Sequence, residues 1–145
     1  MLTVTTALTS TVPPGFEADC DDPPRPNHGF QLRSAKTGSA LVWLAASYDA
    51  AELGSLTAVV EHYANAYGKG ASVALSSTRF LTLPACRLTL SAKGGVEEVV
   101  LAYRAQPDGT GIVYTIGLRC SPADCESARE AVEQIRKAGK LRPIR

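Results

Sequence analysis

Long runs in which every second residue is apolar fill the second half of this 145-residue chain, and a period of two is the signature of a half-buried β-strand. The pattern is plainest in Ile112, Tyr114, Ile116, Leu118 and Cys120, with Thr115 and Arg119 between them. It recurs in Cys86, Leu88 and Leu90, with Arg87, Thr89 and Ser91 on the alternate positions. Extended segments are expected at residues 71–76, 78–83, 85–92, 96–105 and 111–120, broken by Pro84, by Gly94-Gly95 and by Pro107-Asp108-Gly109-Thr110. The last of these is a short turn, which makes its flanking strands antiparallel neighbours.

The first half adds fewer strands and one helix. Residues 2–10 set Leu2, Val4 and Leu8 on one face of a first strand, ended by Pro13-Pro14-Gly15. About residues 17–28 the chain is acidic and proline-rich, which reads as a flexible, solvated loop. Phe30 and Leu32 mark a short strand at 29–34, and residues 40–47 are apolar on both faces, as an interior strand is. Asp49 and Glu52 then have the spacing of an N-cap and its reciprocating carboxylate. Leu53, Leu56, Val60, Tyr63 and Tyr67 follow at helical spacing, and Gly68 and Gly70 stop the helix.

A second helix closes the chain. Ser121-Pro122-Ala123-Asp124 supplies an N-cap, a proline at the first helical position and a carboxylate at the third. Cys125, Ala128, Val132 and Ile135 line its apolar face, with Glu126, Arg129, Glu130, Glu133 and Arg136 opposite, and Gly139 ends it. Residues 140–145 form a short basic tail. The reading is one α+β domain over residues 1–145: an antiparallel sheet of about six strands, one helix between the early and late strands, and a C-terminal helix.

Composition narrows the function classes. Fifteen basic residues against fourteen acidic ones leave a net charge of +1 with no Lys/Arg run, so no nucleic acid is expected as partner. No segment approaches the ~20 apolar residues of a membrane span. The start lacks the basic and apolar regions of an export signal, so the sequence as it stands reads as cytoplasmic; an exported domain whose signal had given way to Met1 would read the same. Cys20, Cys86, Cys120 and Cys125 permit three pairings, and the preferred reading is reduced, structural thiols. The alternative is a Cys120–Cys125 bridge from a strand end to the next helix, which implies an oxidising compartment. A zinc site lacks a second cysteine pair, and His28 and His62 lie far away.

No serine-nucleophile elbow, zinc-protease motif, phosphate loop or dinucleotide fingerprint occurs, so neither a catalytic residue nor a cofactor is assigned. Cys125 at a helix N-terminus is the one candidate nucleophile, and the flanking Asp124 and Glu126 oppose the lowering of its pKa. His62, beside the helical apolar stripe, is read as structural. Trp43 is read as core filler with ligand stacking as its functional alternative, and Trp43, Tyr103, Tyr114, Arg87 and Arg119 are the candidate binding residues.

The order of elements, with Val12-Pro-Pro-Gly-Phe16, the helix after Tyr48-Asp49, Arg79-Phe-Leu-Thr-Leu-Pro-Ala-Cys-Arg-Leu88, Tyr103 before the hairpin, Val113-Tyr-Thr-Ile116 and the closing helix, resembles the PsbP/Mog/DcrB group of α/β/α sandwiches. That resemblance implies a non-enzymatic module that holds a protein or peptide segment on a sheet face or in a sheet–helix groove. It is nearest to the short DcrB-like adaptor chaperones that load type VI secretion effectors, and by analogy it implies a homodimer. An exported or lipid-anchored binding domain with disulfides is the rival reading, and a cysteine-dependent enzyme the third.

Overall fold

The computed structural model describes residues 3–5, 8–20, 28–34, 41–49, 51–67, 72–92 and 95–141. Ten strands and two helices lie among them: β1 Thr3–Thr5, β2 Leu8–Thr11, β3 Phe16–Cys20, β4 His28–Ser34, β5 Leu41–Tyr48, α1 Leu56–Tyr67, β6 Ser72–Phe80, β7 Leu83–Ala92, β8 Gly95–Ala105, β9 Gly111–Cys120, α2 Cys125–Ala138 and β10 Lys140–Leu141. Seven of the strands make one antiparallel sheet in the order β3-β4-β5-β9-β8-β7-β6, one more than expected. β1, β2 and β10 form a separate small sheet, so the expected first strand is a hairpin instead and the start of the expected tail pairs with β2.

Register decides what the two faces carry. β8 pairs with β9 so that Val100 faces Ile116 and Ala102 faces Tyr114, while Val99 faces Gly117 and Tyr103 faces Val113. Side chains alternate across a strand. Val100, Ala102, Tyr114, Ile116 and Leu118 therefore share one face with Val42 and Leu44 of β5, and α2 packs there through Ala128, Ala131, Val132 and Ile135. Val99, Leu101, Tyr103 and Val113 share the other face, where α1 packs through Val59 and Val60. Each helix thus covers its own face.

Several boundaries moved for local reasons. Phe16–Cys20 is strand β3, paired with β4, although its acidity made it look like loop. Phe16 and Ala18 pack against the core while Glu17 is exposed, so a period of two was present beneath the carboxylates. The rest of the proposed acidic loop, residues 21–27, lies outside the described residues, as do the tail residues 142–145. β6 runs unbroken to Phe80 and turns at Leu81-Thr82, and Pro84 sits inside β7 rather than before it. Pairing with β8 begins only at Ala85, so the N–H that Pro84 lacks has no partner to miss on that side. Both helices start later than expected: the Ala58 N–H donates to Ser55 Oγ (3.2 Å) ahead of α1, and Ser121-Pro122-Ala123-Asp124 is a turn that precedes α2.

Gly117 shows how closely the layers are fitted. It pairs with Trp43, whose ring lies across it, and a Cβ built there would stand 2.2 Å from the indole. Gly117→Ala is expected to lower the unfolding free energy by about 1–3 kcal/mol through overpacking. Urea denaturation checks this, and an unchanged midpoint would contradict the fit described here.

Candidate functional site

α2 runs against β9 and β5, and it leaves the β7–β8 flank of its face less tightly roofed. There a pocket of about 250 Å³ opens between helix and sheet. Its apolar lining is Val100 from β8, Ile116 and Leu118 from β9, and Val132 from α2. Arg87 of β7, Glu98 of β8 and Arg129 and Glu133 of α2 are its charged lining. Sites for drug-sized ligands span roughly 300–1,000 Å³, so this one is sized for a single bulky side chain or a short apolar group.

The charged residues neutralise one another across the opening. Arg129 donates from Nε (3.1 Å) and Nη2 (2.8 Å) to one oxygen of Glu98, and Arg87 stands 3.9 Å from Glu133, which also pairs with Arg136 at 3.0 Å. Arg129 is half exposed, and an ion pair so placed contributes about 0–1 kcal/mol. Parting it to admit a ligand is therefore inexpensive, and both partners then offer hydrogen bonds to a polar backbone at the mouth. The arrangement suits a segment that is apolar at its anchor and polar on either side.

The residues proposed from sequence do not converge on this pocket. Arg87 lines it. Tyr114 lies on the same side of the sheet but outside the pocket lining, its ring 6.1 Å from that of Phe80, so it is core packing rather than a ligand contact. Trp43, Tyr103 and Arg119 belong to the opposite face. There the Arg119 guanidinium stands 6.0 Å from the Trp43 ring centre and 3.5 Å from Glu97. Glu98, Arg129 and Glu133 were visible in sequence only as charges on a strand and on a helix's polar side, and Val100, Ile116, Leu118 and Val132 only as core.

Tyr103 is committed to structure. Its hydroxyl donates to Asp49 Oδ2 (3.2 Å), and its ring lies over Gly111, where a Cβ would meet the phenol oxygen. Asp49, expected to cap a helix, instead organises the loop before α1. It accepts the backbone N–H of Gly54 (2.8 Å) and of Leu53 (2.9 Å), which lets the turn hold Glu52 and Gly54 at positive φ. The Gly54 bond does most to hold the Asp49 carboxyl below its ordinary range, against some desolvation, with Leu53 and Tyr103 adding to it.

Cys120 and Cys125 are joined by a disulfide, which corrects the preferred reading of four reduced thiols and removes Cys125 as a nucleophile. The bridge ties the last residue of β9 to the first of α2, and both cysteines are at least 95% buried. Cys86 is a free thiol on the α1 face. His62 is exposed on α1, and among the described residues no group of three His, Cys, Asp or Glu side chains could hold a metal ion. No helix among them is long and apolar enough to cross a membrane.

No family model and no curated protein matches the chain. Solved structures do. LpqN, involved in cell envelope biogenesis of Mycobacterium tuberculosis, is similar with a TM-score of 0.70 at 13% identity, over 94% of this chain and 83% of that one. A protein of Bacteroides thetaiotaomicron VPI-5482 is similar with a TM-score of 0.53 at 9% identity, over 94% of this chain and 46% of that one. At such identities the likeness speaks for the α and β fold alone, and it brings no name from the PsbP/Mog/DcrB group.

Two outcomes follow from these contacts. Removing the bridge in Cys120→Ser/Cys125→Ser is expected to cost about 2 kcal/mol of stability, the loop-closure value for so short a loop, measured by urea denaturation of the oxidised protein and the variant. For Asp49, a folded pKa below the unfolded value of about 3.9 contributes stability that is fully present above that value and fades as pH falls through the folded one. Asp49→Asn should therefore lower the midpoint near neutral pH, with the gap to the unsubstituted protein closing below about pH 4. A gap that persists at acid pH would assign the loss to packing instead.

Proposed function

We propose that this chain is a non-enzymatic binding module of an oxidising, envelope-side compartment, and that the pocket between α2 and the sheet anchors one apolar side chain of a protein segment lying across the charged mouth. The observation that carries the reading is the pocket itself: an apolar lining of Val100, Ile116, Leu118 and Val132 beneath two arginines already balanced by two glutamates. A mouth lined by two cations and two anions, with Arg136 behind Glu133, sets donors and acceptors side by side. It favours a backbone, whose N–H and C=O groups are matched by glutamate acceptors and arginine donors.

The bridge between Cys120 and Cys125 supports that compartment, since disulfides persist where thiols are not kept reduced. The envelope role of LpqN agrees with it. Both weigh toward the exported reading and against a cytoplasmic adaptor for type VI effectors, while the segment-holding function that the PsbP/Mog/DcrB resemblance implied is kept.

Panning a displayed peptide library against the oxidised protein tests the pocket. Enriched peptides should share a large apolar residue, and Val132→Arg, which sends a charge into the lining, should weaken them at least roughly tenfold. Arg119→Ala, on the opposite face, should leave them unaffected. Peptides that bind Val132→Arg as well as the unsubstituted protein would place the binding surface elsewhere.

A further inference from the structure

The two edges of the seven-stranded sheet are built differently. β3 is five residues long and carries Glu17 and Asp19. β6 is nine residues long and has no charged residue from Ser72 to Thr78. Edge strands present a row of unpaired N–H and C=O groups, which proteins guard with brevity, charge, proline or a covering element. β3 has two of these guards. Along residues 72–78 β6 has none, and among the described residues no strand lies on its outer side.

Three further observations narrow what belongs there. Ala74, Leu75, Ser76 and Ser77 are all exposed, and Leu75, at 57%, is one of two large apolar side chains standing out from the surface of the described residues. The C-terminal end of β6 is already engaged, because Arg136 donates to Thr78 Oγ1 and to the Arg79 carbonyl. The open stretch is therefore centred close to Leu75.

We propose that β6 is a homodimer interface, in which it pairs antiparallel with β6 of a second copy about a two-fold axis at Leu75, giving one continuous sheet of two chains. The sequence of the strand selects a second copy. Centred on Leu75, the pairing sets Leu75 against its own counterpart, Ala74 against Ser76, Val73 against Ser77 and Ser72 against Thr78. No charge meets a like charge, small residues let the strands approach, and the exposed leucines cover each other. Moving the axis by one residue to Ser76 sets Leu75 against Ser77 and Val73 against Arg79, and the leucine loses its apolar partner. Isologous contacts of this kind close on themselves and stop at two chains.

The two-fold axis of an antiparallel pair stands perpendicular to the sheet, so both α2 helices come to one face and both pockets open on the same side. Their β8 strands are then five strand spacings apart, about 24 Å. The interface stands independently of the pocket reading, whereas the bivalency it creates rests on that reading.

Sedimentation equilibrium of the oxidised chain over a hundredfold concentration range tests the interface, with a two-chain mass expected in place of 15.3 kDa. Leu75→Lys, which opposes two ammonium groups at the axis, should weaken association by roughly a hundredfold while leaving the melting temperature of the monomer unchanged. In a Cys20→Ser/Cys86→Ser background, Leu75→Cys should form an intermolecular disulfide under mild oxidation, and Ser77→Cys, which lies across from Val73, should not. A mass of one chain at the highest concentration, undiminished association of Leu75→Lys, or crosslinking through Ser77→Cys and not Leu75→Cys would each overturn the proposal. A lost apolar pocket with an intact dimer, by contrast, would sink only the bivalency.

Discussion

The register of β9 between β5 and β8 is the constraint on which the rest of the molecule depends. Tyr114, Ile116 and Leu118 point to α2, while Val113, Thr115 and Gly117 point to the side that α1 partly covers. A slip by one residue would exchange the two sets and bring the Trp43 ring against a leucine or isoleucine where it now lies on Gly117. With Gly117 in place, the indole lies close to the sheet, and the Val99–Gly117 pairing brings β8 into the same register. The disulfide extends this control. By fastening the last residue of β9 to the first of α2, it fixes where the helix begins its path over the sheet, and that path is what leaves the pocket on the β7–β8 flank.

Helix placement on opposite faces changes which surfaces can recognise a partner. A one-sided sheet would offer a broad face, and the apolar positions Val100 and Ala102 would then be docking residues. Ala102 is instead fully buried beneath α2, and Val100, 4% exposed, is reached only through the pocket. What is left is a margin, where the helix does not reach the sheet's flank, and an edge, where among the described residues the sheet has no further strand. Both lie toward β6 and β7. Arg87 makes the connection: it is a pocket-lining residue on β7, and its neighbour across the ladder is Ser76 at the exposed middle of β6.

Much of this fold could be read from the chain because its signals are local. Alternation located β7 and β9, the breaks at Gly94-Gly95 and Pro107 bounded β8, helical spacing located both helices, and Pro107-Asp108-Gly109-Thr110 located the hairpin. β3 was hidden because its alternation is Phe16/Ala18 against acidic residues within a stretch whose composition is that of a loop. That Tyr103 and Tyr114 lie on opposite faces was hidden for a different reason. Each strand's alternation gives its two sets of residues, but which set of β8 joins which set of β9 is fixed by pairing register, and the short turn between them does not reveal it. The candidate site suffered the same way. Arg87 could be named, whereas Glu98, Arg129 and Glu133 acquire a shared role only through the angle at which α2 crosses the sheet.

The cysteines show where a weak local cue carried more than composition did. Cys120 alternates with core residues and Cys125 opens an apolar helical stripe, so each reads as a small hydrophobe, and burial of both agrees with that. Yet a strand end and a helix start separated by one turn bring their Cα atoms to 5.1 Å, within the 4.4–6.8 Å reach of a disulfide. Two cysteines held at that distance in a buried site are bridged wherever the surroundings permit oxidation. The pairing therefore depends on the redox conditions around the chain as much as on its fold.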